Sequence, residues 1–400
     1  MSFLRNSSTN RRITRYRVPE PPTCGRMRPA TGGGPSQGGD GVGSTGTRSA
    51  AGAADTEDER RNVSDATGAL LLGACAAWAL ITAAARGGRP EGVLLAVLAV
   101  TAGFASGRIF GALLPVAAPA AGAVTCLGLA VAAPHATAGS QSLAPLGHTG
   151  AVAALLTLSS GAACCGAWAA RASAPRLALR VLAAGIAVVA AALGSTTGLV
   201  ASTGVLLCSL AVGRTRRRAP ALAALALVAT VVTGATWAIS ANVLPGGLDT
   251  FLEGQLGRHR ALLWHDALAL ARQEPALGAG PGRFGELSPT ATQSLLPDGK
   301  PHSAPLQQAS EQGLIGVALL AAVFCWLLYA LWRTWRATPI ALTAGAALTV
   351  LAVIASVGNA LSFTTVTAGA GLLAGIATAH PLNGEGRPGR ESEWGGPPQP

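Results

Sequence analysis

The sequence predicts an all-α fold: a polytopic transmembrane helical bundle of about ten spans, with one large extracytoplasmic loop that contains short helices. Three observations predict it. Half of the 400 residues are hydrophobic and 12% are charged, against roughly 25% charged in soluble domains. Apolar runs of near-spanning length recur between residues 66 and 379, and a span needs about 20 apolar residues. Gly, Ala, Ser and Thr dominate those runs, as expected of helices that approach closely through small side chains where lipid supplies no hydrophobic drive between them.

In chain order, residues 1–65 are rich in Gly, Ser, Thr, Pro and Arg, have no apolar periodicity, and end in the charged stretch Asp55 to Arg61. Such a segment buries too little surface to fold alone, so a disordered cytoplasmic tail is expected. Arg11 and Arg12 have the look of a twin-Arg export signal, but no apolar stretch follows closely. Apolar runs follow at about 66–85, 92–106, 109–133, 148–170, 177–194, 197–213 and 220–243, so residues 66–243 are expected to hold seven helices. A long polar insertion occupies 244–311. Three more runs, at about 313–332, 338–358 and 362–379, give a second helical region over 312–380, and the Gly- and Pro-rich residues 381–400 read as another disordered cytoplasmic tail.

The chain has 29 basic and 18 acidic residues, and every basic residue except Lys300 is Arg. A nucleic-acid binder would line one polar face with them, whereas here they sit at the ends of apolar runs, so the basicity reads as membrane topology and no nucleic-acid partner is expected. With the first tail in the cytoplasm, the inner turns contain Arg108, then Arg171 and Arg176, then Arg214 and Arg216 to Arg218, then Arg333 and Arg336. The outer connection 134–147 carries no charge, and only the turn with Arg86 and Arg89 runs against the rule. An even number of spans returns both termini to the cytoplasmic side of a multi-pass cell-membrane protein. Six of the seven Cys (Cys75, Cys126, Cys164, Cys165, Cys208 and Cys325) lie inside apolar runs and Cys24 lies in the first tail, with no CxxC spacing. They read as small packing residues, and no metal, disulfide or cofactor is expected.

The insertion 244–311 then faces outward. Its acidic residues (Asp249, Glu253, Asp266, Glu274, Glu286, Asp298 and Glu311) outnumber its basic ones, and a loop this long with internal order signals is where chemistry is expected. Residues 258–273 are helix-forming, and Pro275 ends the helix. Arg260, Trp264 and Leu268 share one face of it. Gly278, Gly280 and Gly282 form a turn that lets backbone approach a ligand. A second segment, HSAPLQQASEQGLIG at 302–316, runs straight into the next span, with Ser303 or Ser310 as candidate cap and Glu311 at the membrane boundary.

Together the two segments resemble the O-antigen ligase and O-antigen polymerase family of bacterial membrane glycan transferases. The first match is Arg260 with Trp264, then Pro275, Gly278 and Gly280; the second is His302, Leu306, Gln307, Glu311, Gly313 and Gly316. Two positions depart from the family pattern. Its Asn after the His is Ser303 here, and its Arg in a Ser-Arg-Gly-like motif is missing from Ser195, Thr196, Thr197, Gly198.

The resemblance implies transfer of a glycan from undecaprenyl diphosphate to an acceptor hydroxyl at the outer face of the cytoplasmic membrane, without metal and with inversion. The partners would be a lipid-linked glycan donor and a glycan or other envelope acceptor. Arg260 would meet the growing charge of the diphosphate leaving group, and His302 would take the acceptor proton or orient the diphosphate. Arg258 and Arg283 are candidates to replace the missing cation, and Gln307 and Glu311 are further candidate substrate-binding residues. By itself an Arg one turn before a Trp is commonly an interfacial packing pair, and Trp264 is as readily a packing residue as a sugar platform. The rival readings are a membrane transporter and a catalytically silent scaffold in polysaccharide export. A transporter should carry ionisable residues near the bilayer midplane, and the spans hold almost none. A peptidoglycan polymerase would have a similar helix count, but its motifs are absent.

Overall fold

The computed structural model describes residues 45–136, 145–215, 217–243, 257–293 and 299–380, with backbone only at 45–63, 133–136 and 145–148. Residues 1–44 of the expected first tail at 1–65, the expected tail at 381–400, Cys24, Arg216, most of the outer connection, and the loop acids Asp249, Glu253 and Asp298 lie outside the described residues, whereas 45–65 of that first tail are helical. The chain divides into a unit Met1–Thr56, described only where the first helix opens, and a unit Glu57–Pro400. The second unit forms the helical bundle.

Every regular element among the described residues is helical. In order they are α1 (Thr45–Arg86), α2 (Glu91–Leu113), α3 (Ala117–Ala136), α4 (Pro145–Ala169), α5 (Ser173–Ala192), α6 (Thr196–Val212) and α7 (Arg218–Ser240). Then come α8 (Arg258–Gln273), the short α9 (Phe284–Leu287) and α10 (Pro289–Gln293), α11 (Ala304–Arg333), α12 (Thr338–Val357), a 3₁₀ turn at Ala360–Ser362, and α13 (Thr364–Thr378). Among the described residues, seven helices are long and apolar enough to cross a membrane: Ser64–Arg86 of α1, α2, Thr149–Ala169 of α4, α5, α7, α11 and α12. Ala117–Ala132 of α3, α6 and α13 are apolar as well but shorter.

Small residues decide how these helices meet. On α2, Gly103, Gly107 and Gly111 form one stripe, and on α13 Gly371 and Gly375 form another; a Cβ on Gly107 would sit 2.3 Å from the Leu372 carbonyl oxygen, and one on Gly375 would sit 2.3 Å from that of Phe104. The two backbones therefore touch, which only glycine permits. This contact corrects the expected boundary between the second and third runs. Instead of a turn at Arg108, α2 continues unbroken to Leu113, because the stripe must stay helical through Gly111 to lie against α13. Arg108 is a helical residue that forms an ion pair with Asp65 at the start of the α1 span.

Helix α4 is the axis of the bundle: nearly every side chain from Ala151 to Ala167 is buried among α3, α5, α6, α12 and α13. Its hydroxyls are hydrogen-bonded, as burial away from water demands. Ser159 Oγ donates to the Ala123 carbonyl at 2.6 Å and Thr157 Oγ1 to that of Ala153 at 2.7 Å. Cys126, Cys164 and Cys165 are buried packing residues as expected, whereas Cys208 and Cys325 face outward among exposed apolar side chains.

The basic turns do more than set topology. Arg218 donates to the carbonyls of Thr334 and Arg336, both at 2.6 Å, and Arg336 donates to those of Ala379 at 2.8 Å and Gly111 at 2.6 Å. Helices α2, α11 and α13 all end here, so two guanidiniums satisfy carbonyls that helix ends leave open and meet the negative ends of the helix dipoles.

Candidate functional site

The opposite end of the bundle, where α1 finishes and α2 and α11 begin, carries the segment 257–312. Helix α8 forms over Arg258–Gln273 as the sequence predicts, and it buries Leu263, Trp264 and Ala267 in a small apolar cluster with Ile239, Phe284 and Leu306. Trp264 is fully buried there, so its ring packs. The carboxylate of Asp266 accepts from Ser288 Oγ at 2.6 Å and from the Thr290 amide at 3.0 Å, which fixes the start of α10 to α8.

The second motif segment does not run straight into its span. Helix α11 breaks at Gly313, whose backbone (φ 71°, ψ −169°) lies outside helical space. In an unbroken helix the Leu314 amide would bond to the Ser310 carbonyl. Here it donates instead to Pro275 O at 2.8 Å, and the freed carbonyls of Ser310 and Glu311 accept from the amides of Ala279 at 2.8 Å and Gly280 at 2.9 Å. Trp78 Nε1 donates to the Gln312 carbonyl at 3.0 Å. The break thus exchanges helical hydrogen bonds for bonds between the two motif segments, at little net cost. It demands glycine at both contact points: a Cβ on Gly278 (φ 67°) would lie 2.5 Å from the Glu311 carbonyl carbon, and one on Gly313 would lie 2.3 Å from Ala276 O.

The same turn is anchored to α1. Both guanidinium nitrogens of Arg86 bind the two carboxylate oxygens of Glu274 in a bidentate pair, Arg283 Nη1 donates to the Arg86 carbonyl at 2.7 Å, and the Arg89 amide donates to Pro281 O at 2.7 Å. Sequence reasoning did not single out Trp78, Arg86 or Glu274 as site residues; Arg86 stood out only as an exception to the charge rule.

Pro275 bonds to Leu314 while Trp264 shares a cluster with Leu306, so α8 and the outer part of α11 run in the same direction. The first turn of α8, which carries Arg260, and the entry to α11, which His302 and Ser303 precede, therefore lie at the same end. Arg260 is half-buried with no hydrogen bond or ion pair among the described residues, and burial pulls its pKa below the ordinary guanidinium value. His302 is buried with φ 52°, a left-handed conformation rare outside glycine. Ser303 occupies the position that caps α11, yet its Oγ makes no cap bond; that oxygen and Trp264 Nε1 are buried polar atoms without a partner.

Beside these helices a cavity of about 870 Å³ opens between α1, α2, α7, α11, α12 and α13. Its mouth is polar, with Arg89, Lys300, Gln307, Glu311 and Gln312, and its depth is apolar, with Val97, Val100, Leu320, Phe324 and Leu351. Of the sequence-predicted residues, Gln307 and Glu311 line it, and Gln307 Nε2 donates to Glu311 Oε1 at 3.4 Å. Glu311 is not at a helix start; it is buried one turn after Gln307, at the end of the outer part of α11. Arg258 is exposed, Arg283 is engaged with the Arg86 carbonyl and Glu286, and neither they nor Arg260 and His302 are on the cavity wall, although His302 falls between Lys300 and Ala304, which are.

Residues 181–321, about a third of the chain, match the family model for O-antigen ligase. No curated protein and no solved structure matches. The matched stretch runs from α5 into α11 and contains both motif segments. Over that stretch the chain is similar to the O-antigen ligase family, and its long apolar helices fit a protein that crosses a membrane.

Proposed function

We propose that this O-antigen ligase-like protein transfers or polymerises a glycan carried on undecaprenyl diphosphate, joining it to an acceptor hydroxyl at the outer face of the cytoplasmic membrane. The observation that carries the reading is the pairing of the two motif segments by main-chain hydrogen bonds beside a cavity with a polar mouth and an apolar interior. A diphosphate on a long isoprenoid chain has that same division. In this reading the three shorter apolar helices also cross, giving ten spans, with both termini in the cytoplasm and 244–311 outside.

The transfer is a single inverting displacement. The acceptor oxygen attacks the anomeric carbon, the bond from that carbon to the diphosphate breaks, and the diphosphate leaves with the electron pair. His302 takes the proton from the acceptor hydroxyl, since imidazole is a competent base at neutral pH. Arg260 stabilises the negative charge that grows on the leaving oxygen; a preorganised cation in a site shielded from water contributes about 3 kcal/mol to such a transition state. Ser303, the residue after His302, has a buried Oγ without a partner and is the candidate to hydrogen-bond bound sugar. Gln307 and Glu311 bind at the cavity mouth, and Arg258 contributes long-range attraction for the anionic donor.

Mass spectrometry of undecaprenyl-diphosphate glycans in host cells lacking the protein tests the proposal. Accumulation of a lipid-linked glycan that wild type clears is expected, and Arg260→Ala and His302→Ala should each clear it at least about 100-fold more slowly while remaining folded in the membrane. A pool that stays unchanged with and without the expressed protein would overturn the transferase reading and favour a transporter or silent scaffold.

A further inference from the structure

The cavity wall formed by α7, α11, α12 and the 3₁₀ turn carries three amides and an indole that the transfer chemistry does not use. A hydrogen bond of 3.0 Å between Thr233 Oγ1 and Ser356 Oγ pins α7 to α12 near the end of the bundle that carries α8. One turn further along the same face of α7 is Trp237, and just past the end of α12 is Asn359. Trp237 and Val357 both pack on the apolar cluster that contains Leu306, and the 3₁₀ turn after Asn359 packs on α11 as well. Trp237, Gln308, Gln312 and Asn359 all line the cavity. Gln308 and Gln312 are one turn apart and both reach Gly316, where a Cβ would lie 3.3 Å from Gln308 Oε1 and 2.5 Å from Gln312 Cβ, so glycine leaves the room these side chains occupy. Gln312 is 2% exposed, and its Nε2 is a buried donor without a partner. Asn359 is also buried; its Oδ1 accepts from Ser362 Oγ, while its amide nitrogen and the side-chain polar atoms of Gln308 and Trp237 make no hydrogen bond among the described residues. The carboxylates on the same wall are engaged, Glu286 by Arg283 and Glu311 by Gln307 and the charge of Lys300.

A side-chain amide offers a donor and an acceptor in one plane, and a sugar hydroxyl likewise both donates and accepts, so amides and adjacent hydroxyls satisfy each other fully. A diphosphate oxygen only accepts and would leave the amide oxygens unserved. An indole adds a flat apolar surface for the C–H face of a pyranose ring, with an N–H at its rim. We infer that Trp237, Gln308, Gln312 and Asn359 form a saccharide subsite that recognises a neutral pyranose ring of the glycan, carried by the lipid-linked donor or by the acceptor. The inference rests on the function proposed above and adds residues that select the sugar to those that react with it. None of the four is a motif position, and Asn359 lies beyond the family match. These residues set which sugar is accepted, whereas Arg260 and His302 set the rate.

Saturation-transfer NMR on the full-length protein in nanodiscs tests this, with the methyl glycosides of glucose, galactose, mannose, rhamnose and N-acetylglucosamine as probes. At least one should bind, and inorganic diphosphate should not displace it. Gln312→Leu and Trp237→Ala should each weaken that binding about tenfold, and Trp237→Phe should retain most of it. Gln312→Leu removes a buried donor that has no partner, so its unfolding temperature should equal or exceed that of wild type while saccharide binding falls. Displacement of the glycoside by lipid-linked glycan extracted from cells lacking the protein would support the subsite and assign the ring to the donor; persistence of the signal would support it and assign the ring to the acceptor. Absence of binding by every glycoside, or wild-type binding in both Gln312→Leu and Trp237→Ala, overturns the subsite and leaves the proposed function standing. A lipid-linked pool that does not depend on the protein overturns the proposed function, even where the glycosides bind.

Discussion

Single residues in this site are constrained by backbone geometry more than by their side-chain chemistry. Gly278 and Gly313 have positive φ and leave no space for a Cβ, since each would meet backbone atoms of the other motif segment at 2.5 Å or less. Gly278→Ala and Gly313→Ala should each lower stability by about 3 kcal/mol through strain and lost main-chain bonds. Urea or thermal denaturation in detergent checks this, and an unchanged midpoint for either variant would contradict the described turn. Their effect on transfer should appear even where the bundle survives, because the turn positions both halves of the site. Charged residues behave differently. Arg86, Arg89, Arg258, Arg260 and Arg283 look alike in a sequence, but one is paired with Glu274, one supports the turn by donating to a carbonyl, and three are open to a ligand or solvent. The identity of a guanidinium's partner is a long-range fact, and spacing along the chain does not encode it.

Among the elements, the α2–α13 pair is the most tightly defined contact. Its glycine stripes put backbone against backbone, and the gain is van der Waals packing over the whole length of the shorter helix. Gly107→Leu should force the helices apart and cost about 3 kcal/mol or more, because its Cβ would begin 2.3 Å from the Leu372 carbonyl oxygen. Gly73→Leu on α1 is the control, as nothing lies within 4 Å of its added Cβ. The paired measurement is melting temperature in detergent; equal shifts for the two variants would refute the stripe as the determinant. The stripe could be read from the i, i+4, i+8 spacing of Gly103, Gly107 and Gly111. Its partner could not, since α13 lies hundreds of residues further along the chain, an interval over which sequence periodicity carries no information.

For the molecule as a whole, the structure places α1's end, the start of α2, α8 and the first half of α11 at one end, and the carbonyl ends of α2, α11 and α13 with Arg218 and Arg336 at the other. The proposed orientation puts the first end outside. In a variant whose native cysteines are replaced, Gln293→Cys should react with a membrane-impermeant thiol reagent added to intact cells, whereas Thr215→Cys should react only after permeabilisation. The reverse pattern would invert the topology and remove the site from the outer face.

The sequence by itself determined the helical class, the helix at 258–273 and the two motif segments, because each of these depends on composition or on periodicity within a few turns. That Gln307 and Glu311 of the second motif segment line the cavity was decided by the tertiary structure. Only the tertiary structure decided that α2 passes through Arg108, that α11 breaks at Gly313, and that the freed carbonyls of Ser310 and Glu311 bond to the Gly-x-Gly turn. It also decided that the cations at the cavity mouth are Arg89 and Lys300 while Arg283 supports the turn. The physical reason is common to all of these: a helix break or a charged contact is settled by which backbone and side-chain groups arrive opposite it, and those groups come from segments tens to hundreds of residues away.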